Sequence, residues 1–418
     1  MISVEEALEN ILNSIGPLDG EEKPILECLG QVLAEDIVAS RDIPPYDNSA
    51  MDGYAVRASD TIGASRDSPV FLQIKGEMAA GHLSDQILTP GTAIRIMTGA
   101  PVPAGADAVV QFEDTDEIIQ HTAGKEKSGK IGIFEPAVPG QNIRLKGEDI
   151  KYGQLILEHG IRLNPARIGL LASLGKPVVK VIRRPVVSIL ATGDELCDLY
   201  QSLAPGKIYN SNSYTIAASV KNCGAIPKLL GISSDSVDSL NEKLDQALNS
   251  DLLITSGGVS VGDYDMVKDV LASRGNISFW TVRMKPGKPL AFGFITDNRS
   301  LPGRRLPHFG LPGNPVSSMI TFEIFVRPAI LKMMGLTDFS RPFIRARIDR
   351  DIINRDGRRI FSRVVLSRSD TGWLASLTGP QGSGILTSMA LSHGLAIVPE
   401  DCPIAKAGSE LNVMLLEN

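Results

Sequence analysis

Two short stretches carry the residue types that could handle a phosphorylated, charged substrate. The first, Thr255-Ser256-Gly257-Gly258-Val259-Ser260-Val261-Gly262-Asp263-Tyr264-Asp265, follows the apolar run Asp251 to Ile254 and precedes Met266-Val267-Lys268-Asp269-Val270-Leu271. That order predicts a buried strand, a glycine turn and an Asp-capped helix. In such a turn, unpaired backbone N–H groups at the positive end of the helix face the crevice beyond the strand ends, a place for a phosphate. Gly257 and Gly262 have the spacing of a nucleoside-triphosphate loop, but Asp263 stands where Lys-Ser/Thr would follow. An anion cradle with its own carboxylates implies a metal ion between them; a plain tight turn with Asp263 as helix cap is the other reading. The second stretch, Lys285-Pro286-Gly287-Lys288-Pro289, favours the metal: it lies just past the next predicted strand, Ile277 to Val282, so both lysines end at the same sheet edge.

Three further places repeat parts of this chemistry. The strand Val186 to Thr192 runs into Gly193-Asp194-Glu195-Leu196, so Glu195 and Asp263 each follow a strand end and face one crevice, as do Asn210 and Asn212 ahead of their helix. Gly310-Leu311-Pro312-Gly313-Asn314-Pro315-Val316-Ser317-Ser318 leads into an apolar helix at Met319 to Met334 and makes another strand-to-helix anion corner. The Pro-led loop Asp42 to Val56 holds Asp47 and Asp52 together, either as a solvated loop or as part of a site.

The elements that must position these residues fall into segments. The 418 residues suit roughly three domains, 43% of them are apolar, and the net charge is −6. That charge speaks against a nucleic-acid binder. Four cysteines stand far apart without zinc-like spacing, the N-terminus lacks the order of a signal peptide, and no apolar run reaches membrane-spanning length, so a cytoplasmic location is expected. An amphipathic helix from Val4 to Ile15 and a short second helix at Ile25 to Leu33 open a helical linker region, read as residues 1–47 and 137–180. It is interrupted by an inserted β domain at 48–136, whose Thr122 to Gly132 stretch reads as a hairpin tip. Residues 181–335 alternate strands with helices, the pattern of a doubly wound, parallel α/β domain. Residues 336–418 read as a small C-terminal β barrel or sandwich.

Taken together, these motifs resemble one family over essentially the whole chain: the molybdopterin molybdenumtransferases, that is, the MoeA proteins of bacteria and the E domain of gephyrin. Six stretches occur in the family's order, namely Asp47 to Ala55, Ile96 to Pro103, Thr192 to Leu196, Ser256 to Asp265, Lys285 to Pro289 and Gly310 to Ser317. The loop Asp297 to Leu306 is longer than the family's, and Leu391-Ser392-His393-Gly394 replaces its Ala-Asn-Gly. The resemblance implies insertion of molybdate into adenylylated molybdopterin, with Mg²⁺-dependent release of AMP. It implies Asp52, Asp149, Glu195 and Asp263 as catalytic residues, Glu195 and Asp263 also holding the metal. Thr98, Gly257, Gly258, Ser260 and Asn314 are implied as substrate-binding, and Lys285, Lys288, Pro289, Ser317, Arg363 and Ser383 as the molybdate site. It further implies a homodimer in which the Asp52 loop of one protomer reaches its partner's crevice.

Two other functions fit parts of the sequence. A molybdopterin adenylyltransferase shares the α/β domain and its Gly-Gly loop but needs neither the inserted domain nor the C-terminal barrel. A non-enzymatic scaffold, like gephyrin in receptor clustering, is the other.

Overall fold

Alternating apolar residues decide the larger sheet. Along Val186–Thr192 (β1), Val187 and Ile189 enter one buried cluster while Leu190 enters another. Leu252–Ser256 (β3) divides in the same way, Leu252 and Ile254 against Leu253. A strand buried on both faces needs helices on both, which is the doubly wound arrangement. The structure, a computed structural model, describes residues 1–82, 85–122, 129–234, 236–258, 266–296, 305–370 and 372–416. They form two units: Met1–Glu35, Gly160–Gly169 and Pro177–Asn418 in one, Asp36–His159 and Leu170–Lys176 in the other.

In the first unit β1 and β3 are joined by Ile226–Ser233 (β2), Gly275–Thr281 (β4), Pro289–Thr296 (β5) and Arg305–Leu311 (β6), in the order β2-β1-β3-β6-β5-β4. Val4–Ser14 (α1), Ser211–Asn222 (α2) and the helix that begins at Pro315–Thr321 (α5) contribute to one cluster, Val237–Ala247 (α3) and Met266–Arg274 (α4) to the other. Ser3 caps α1 by accepting the Glu6 N–H at 3.0 Å, and α1 buries Val4, Ala7 and Ile11. After α5 comes a π-helical turn, Phe322–Val326, before Arg327–Met333 (α6).

The sheet is not parallel throughout, as the alternation of elements had suggested. β5 runs antiparallel to both β4 and β6. The reason is connection length: Val282 to Lys288 separates β4 from β5, and a parallel crossover needs about a dozen residues or more. C-terminally, Phe343–Ile348 (β7), Arg359–Ser369 (β8), Gly372–Leu377 (β9), Gly394–Val398 (β10) and Glu410–Leu415 (β11) close a ring in the order β8-β9-β7-β11-β10-β8, a barrel rather than a sandwich.

In the second unit a five-stranded sheet runs Ala108–Gln111, Gly53–Val56, Thr92–Ile96, Val70–Met78, Lys130–Ile133. It too is buried on both faces, Tyr54 and Val56 on one and Ala55 on the other. The stretch expected as a second helix, Ile25 to Leu33, takes another form. Ile25–Cys28 is a single 3-10 turn behind Pro24, and Gly20–Pro24 pairs antiparallel with Val178–Ile182. Pairing with residues 154 to 162 positions away is invisible to local periodicity. Just ahead of the predicted hairpin tip, Glu117–Thr122 is a short helix, and residues 123–128 of the tip lie outside those described.

Candidate active site

The first unit reverses its winding at β1. The chain passes from β1 to β2 on one side and then to β3 on the other, so a crevice opens between the carboxyl ends of β1 and β3. Thr192 and Ser256 are those two ends. A pocket of about 220 Å³ lies there, lined among others by Thr192, Glu195, Tyr209, Ser256, Gly257 and Gly313.

Glycine is required at its wall. Gly257 has φ +97°, and a Cβ there would stand 2.7 Å from the Thr192 carbonyl oxygen; Gly258 has φ +66°, with a Cβ 2.7 Å from Val267. The two loops are stitched by Gly257 N–H donating to Leu311 O at 3.1 Å. Asn212, in the first turn of α2, donates through Nδ2 to Ser256 Oγ and to Gly313 O, both at 2.8 Å. Asn210 is the cap of that helix and accepts the Ser213 N–H at 3.2 Å. The ends of β3 and of the loop after β6 are thus tied to α2 by one amide side chain. Glu195 lines the same pocket, its carboxylate lying against the Cα of Gly193, where any side chain would collide with it.

A second corner adjoins the first through α5. Gly287, φ +94°, lies so close to α5 that a Cβ would come 2.5 Å from Thr321 Oγ1 and 3.5 Å from Ser317 O. Val316 N–H donates to Ser383 O at 3.1 Å. The Lys285 to Pro289 loop, the start of α5 with Ser317, and the loop carrying Ser383 therefore meet, while Pro315 and Gly384, beside them in sequence, line the pocket. Lys285 and Lys288 are exposed, Pro289 is half-buried and Ser317 is buried. Lys285 Nζ stands 3.4 Å from Asp356 Oδ2. The lysine and Arg358 hold the Asp356 carboxyl below the usual range, the hydrogen bond from Arg358 contributing most.

Arg363 plays a part its sequence did not reveal. It is 1% exposed and its guanidinium donates to Pro380 O, Gln381 O and Gly382 O at 3.3, 3.1 and 3.0 Å and to Ser388 Oγ at 3.0 Å. It braces the loop that presents Ser383. Burial pushes its pKa down to about 10, and among the described residues no carboxylate pairs with it. Asn314 is exposed at the cap position of α5, with no side-chain capping bond.

The remaining candidates belong to the second unit. Asp52 Oδ1 accepts from Thr98 N–H at 2.7 Å and from Thr98 Oγ1 at 2.8 Å, and these bonds hold its carboxyl below the usual range. Asp149 is exposed in a turn whose N–H donates to Ile43 O at 3.0 Å. Asp263 and Ser260 lie outside the described residues, as do positions 297–304 of the long polar loop. Among the described residues no three His, Cys, Asp or Glu side chains cluster as a metal site. The residues not named as site candidates from the sequence are Thr192, Tyr209, Asp356 and Gln381. Thr192 alone had a signal, its place at a strand end directly before Gly193.

Comparison with known proteins gives this geometry a context. Residues 2–175 match the MoeA N-terminal region (domain I and II), 188–332 a probable molybdopterin binding domain, and 345–416 the MoeA C-terminal region (domain IV). Molybdopterin molybdenumtransferase 2 of Mycobacterium tuberculosis is 40% identical over 397 residues, covering 93% of each chain. The molybdopterin molybdenumtransferase of Nostoc is 38% identical over 427 residues, covering 100% of this chain and 94% of its own. A crystal structure of the molybdopterin biosynthesis moeA protein from Pyrococcus horikoshii superposes with TM-score 0.79 at 32% identity, covering 99% of this chain and 100% of that one. With every domain matched in order and full-length relatives above 30% identity, the chain belongs to the molybdopterin molybdenumtransferase family, the MoeA proteins of molybdenum cofactor biosynthesis.

Proposed function

We propose that this molybdenumtransferase inserts molybdate into the dithiolene of adenylylated molybdopterin and releases AMP. The observation that carries the reading is the adjacency of two unlike corners on α5: a glycine-walled, hydrogen-bonded crevice with a carboxylate, and a corner with two exposed lysines and a buried serine. A phosphoanhydride fits the first, where the hydroxyl-bearing Thr192 and Ser256 line a glycine-walled pocket beside the start of α2. A tetrahedral oxyanion fits the second, where Lys285 and Lys288 supply charge and Ser317 and Ser383 supply donors, the Ser383 loop being braced by Arg363.

Mg²⁺ belongs to the proposal as the partner of Glu195. The donors present suit it, since a hard cation of this size takes one or two carboxylates and completes its shell with waters and substrate phosphates. When bound, it would neutralise charge developing on the leaving phosphate. Glu195 would hold it, with Asp263 as the second ligand; Thr192, Ser256 and Gly257 form the wall against which the ligand is oriented. Asp52, fixed by Thr98, acts from the partner protomer of a homodimer, and the enzyme works in the cytoplasm. No helix among the described residues is long and apolar enough to cross a membrane.

Purified protein incubated with adenylylated molybdopterin and molybdate should release AMP and load metal onto the pterin only with Mg²⁺ present. Pterin left metal-free under all conditions refutes the reading. For the shared site, Asp52→Ala and Lys288→Ala chains, each inactive, should regain about a quarter of wild-type activity after random subunit exchange. Proven exchange without recovery places Asp52 in its own chain's site.

A further inference from the structure

The sheet that carries the crevice has another pocket at its opposite end. β6 starts at Arg305 and finishes at Leu311, which accepts the Gly257 N–H, so its start lies roughly 20 Å along the strand from the crevice. A cavity of about 210 Å³ opens there, where α1 faces β5 and the edge strand β4. It is lined by Asn10, Ser14, Trp280, Phe292, Phe294 and Arg305 among others.

Its shape follows from what the neighbouring elements leave uncovered. α1 buries Val4, Ala7 and Ile11, whereas Asn10 and Ser14, one turn apart on its flank, are exposed and too short to extend the cover to the sheet's edge. Across the edge pair, Asn276 stands opposite Phe294 and Ser278 opposite Phe292. Small polar residues beside large rings make the face step down along β4. The floor is held from several sides: Phe292, 4% exposed, meets Trp280, Phe294 and Phe309 with ring centroids 5.8, 5.9 and 5.0 Å away.

The rim carries one charge. Arg305 belongs to the polar loop by which this sequence departs from its family, and its guanidinium lies over the Phe294 ring, 4.1 Å from the centroid. Stacking occupies the face of the guanidinium and leaves its N–H edge to donate. Among the described residues no carboxylate pairs with Arg305 and none lines the pocket. Asn10, Asn276 and Ser278 add neutral donors and acceptors. An aromatic floor, a single cation and a neutral polar rim, in a cavity below the roughly 300 Å³ of a drug-sized site, suit a small ring that carries one negative charge.

We propose that this pocket binds a small aromatic carboxylate, its ring against Trp280 and Phe292 and its carboxylate on the N–H edge of Arg305. The site is separate from the crevice and rests on none of the readings given for it.

Three probes test the charge and the ring independently: benzoate, its neutral counterpart benzamide, and the saturated cyclohexanecarboxylate, each added to the full-length protein. The readout is the indole N–H NMR signal of Trp280, identified as the one of two that persists in Trp373→Phe. Benzoate should move that signal with a dissociation constant on the order of 1 mM, as suits so small a ligand. Benzamide and cyclohexanecarboxylate should each bind about tenfold more weakly. Arg305→Gln removes the charge at an exposed position and should bind benzoate no better than benzamide, whereas Arg305→Lys should retain a preference for the anion. Ser278→Leu fills the step beside Phe292 and should weaken all three probes with Arg305 still in place; if it does not fold, the Arg305 variants decide. A Trp280 signal that benzoate leaves unmoved overturns the site. So does equal binding of benzoate and benzamide by wild type, or an undiminished preference for benzoate in Arg305→Gln.

Discussion

The floor of the crevice and the lysine corner beside it share a helix but are built from opposite materials. The floor is buried Ser256, held by Asn212 and backed by glycines that allow no side chain, and behind it on β3 and β6 lie buried Thr255 and His308, joined by a hydrogen bond. The corner consists of cations in water, Lys285 and Lys288, on a loop held close to α5 by a single glycine. In the floor, shape and stability are one property, because an interior of low dielectric makes each hydrogen bond strong and each unpaired group costly. In the corner they separate, because exposed charges contribute little to the fold yet attract an anion strongly enough to matter. Substitutions in the floor should therefore damage fold and activity together. Those in the corner should damage capture alone.

The largest effect is expected at Gly257. Alanine there meets the Thr192 carbonyl at 2.7 Å in a backbone conformation, φ +97°, that favours glycine. Moving the wall by about 1 Å should lower AMP release about 100-fold, and the strain should cost about 1–3 kcal/mol in denaturant unfolding. Full activity with normal stability would show that the wall tolerates a side chain and that the crevice is placed elsewhere.

Next comes a pH effect in the support behind the floor. His308, wholly buried on β6, shares a 3.0 Å hydrogen bond with Thr255 on β3, and burial lowers its pKa from 6.5 to about 3. The folded chain holds it neutral, whereas the unfolded chain protonates it below about pH 6.5. More protons bound in the unfolded state mean that stability is complete above that pH and falls as pH drops toward the folded value. Each pH unit in this window should cost about 1.4 kcal/mol, so urea midpoints should drop measurably by about pH 4.5. His308→Gln should flatten that slope. A slope equal to wild type would assign the acid sensitivity to carboxylates such as Asp52, whose pKa Thr98 lowers.

How far the two regions were readable from sequence follows the same division. The corner and the crevice wall are local: glycines at strand ends, Asn210 ahead of its helix, and the Lys-Pro-Gly-Lys run declare themselves within a few residues, and the structure brings them together. The floor's support is not local. The His308–Thr255 contact spans 53 positions and Arg363 reaches carbonyls 17 to 19 residues away. The resemblance implies Arg363 in the molybdate site, and its brace on the Ser383 loop shows only once β8 and that loop are folded together. The reversal of β5 was in principle legible, because the connections on either side of it leave no room for a crossover helix. The periodicity of the strand masks its direction, since alternation looks alike whichever way the chain runs.

In the corner, Lys285→Ala and Lys288→Ala should each weaken molybdate binding about tenfold while changing unfolding free energy by no more than about 0.5 kcal/mol. The loss should shrink at higher salt, as it does for exposed charges. Equilibrium dialysis with molybdate, paired with urea unfolding, reads both quantities. A destabilisation of several kcal/mol in either variant would mean that the corner is structural like the floor.

The smallest effect sharpens the comparison most, because it has the opposite sign. Asp356 holds Lys285 at 3.4 Å, and the two side chains are 40% and 52% exposed. An exposed pair of this kind is screened by water and the fold gains little from it, yet its carboxylate competes with an incoming oxyanion for the same ammonium. Arg358 also pairs with Asp356 and keeps the carboxylate in place whether or not Lys285 is engaged. Removing the charge in Asp356→Asn should release Lys285 and tighten molybdate binding about twofold to threefold, with the urea midpoint unchanged. The same substitution on a Lys285→Ala background should do nothing, since its effect passes through that lysine. Weaker binding in the single variant would show that Asp356 orients Lys285 toward the anion instead of competing for it, and an equal effect in both backgrounds would trace the change to the overall field of the corner.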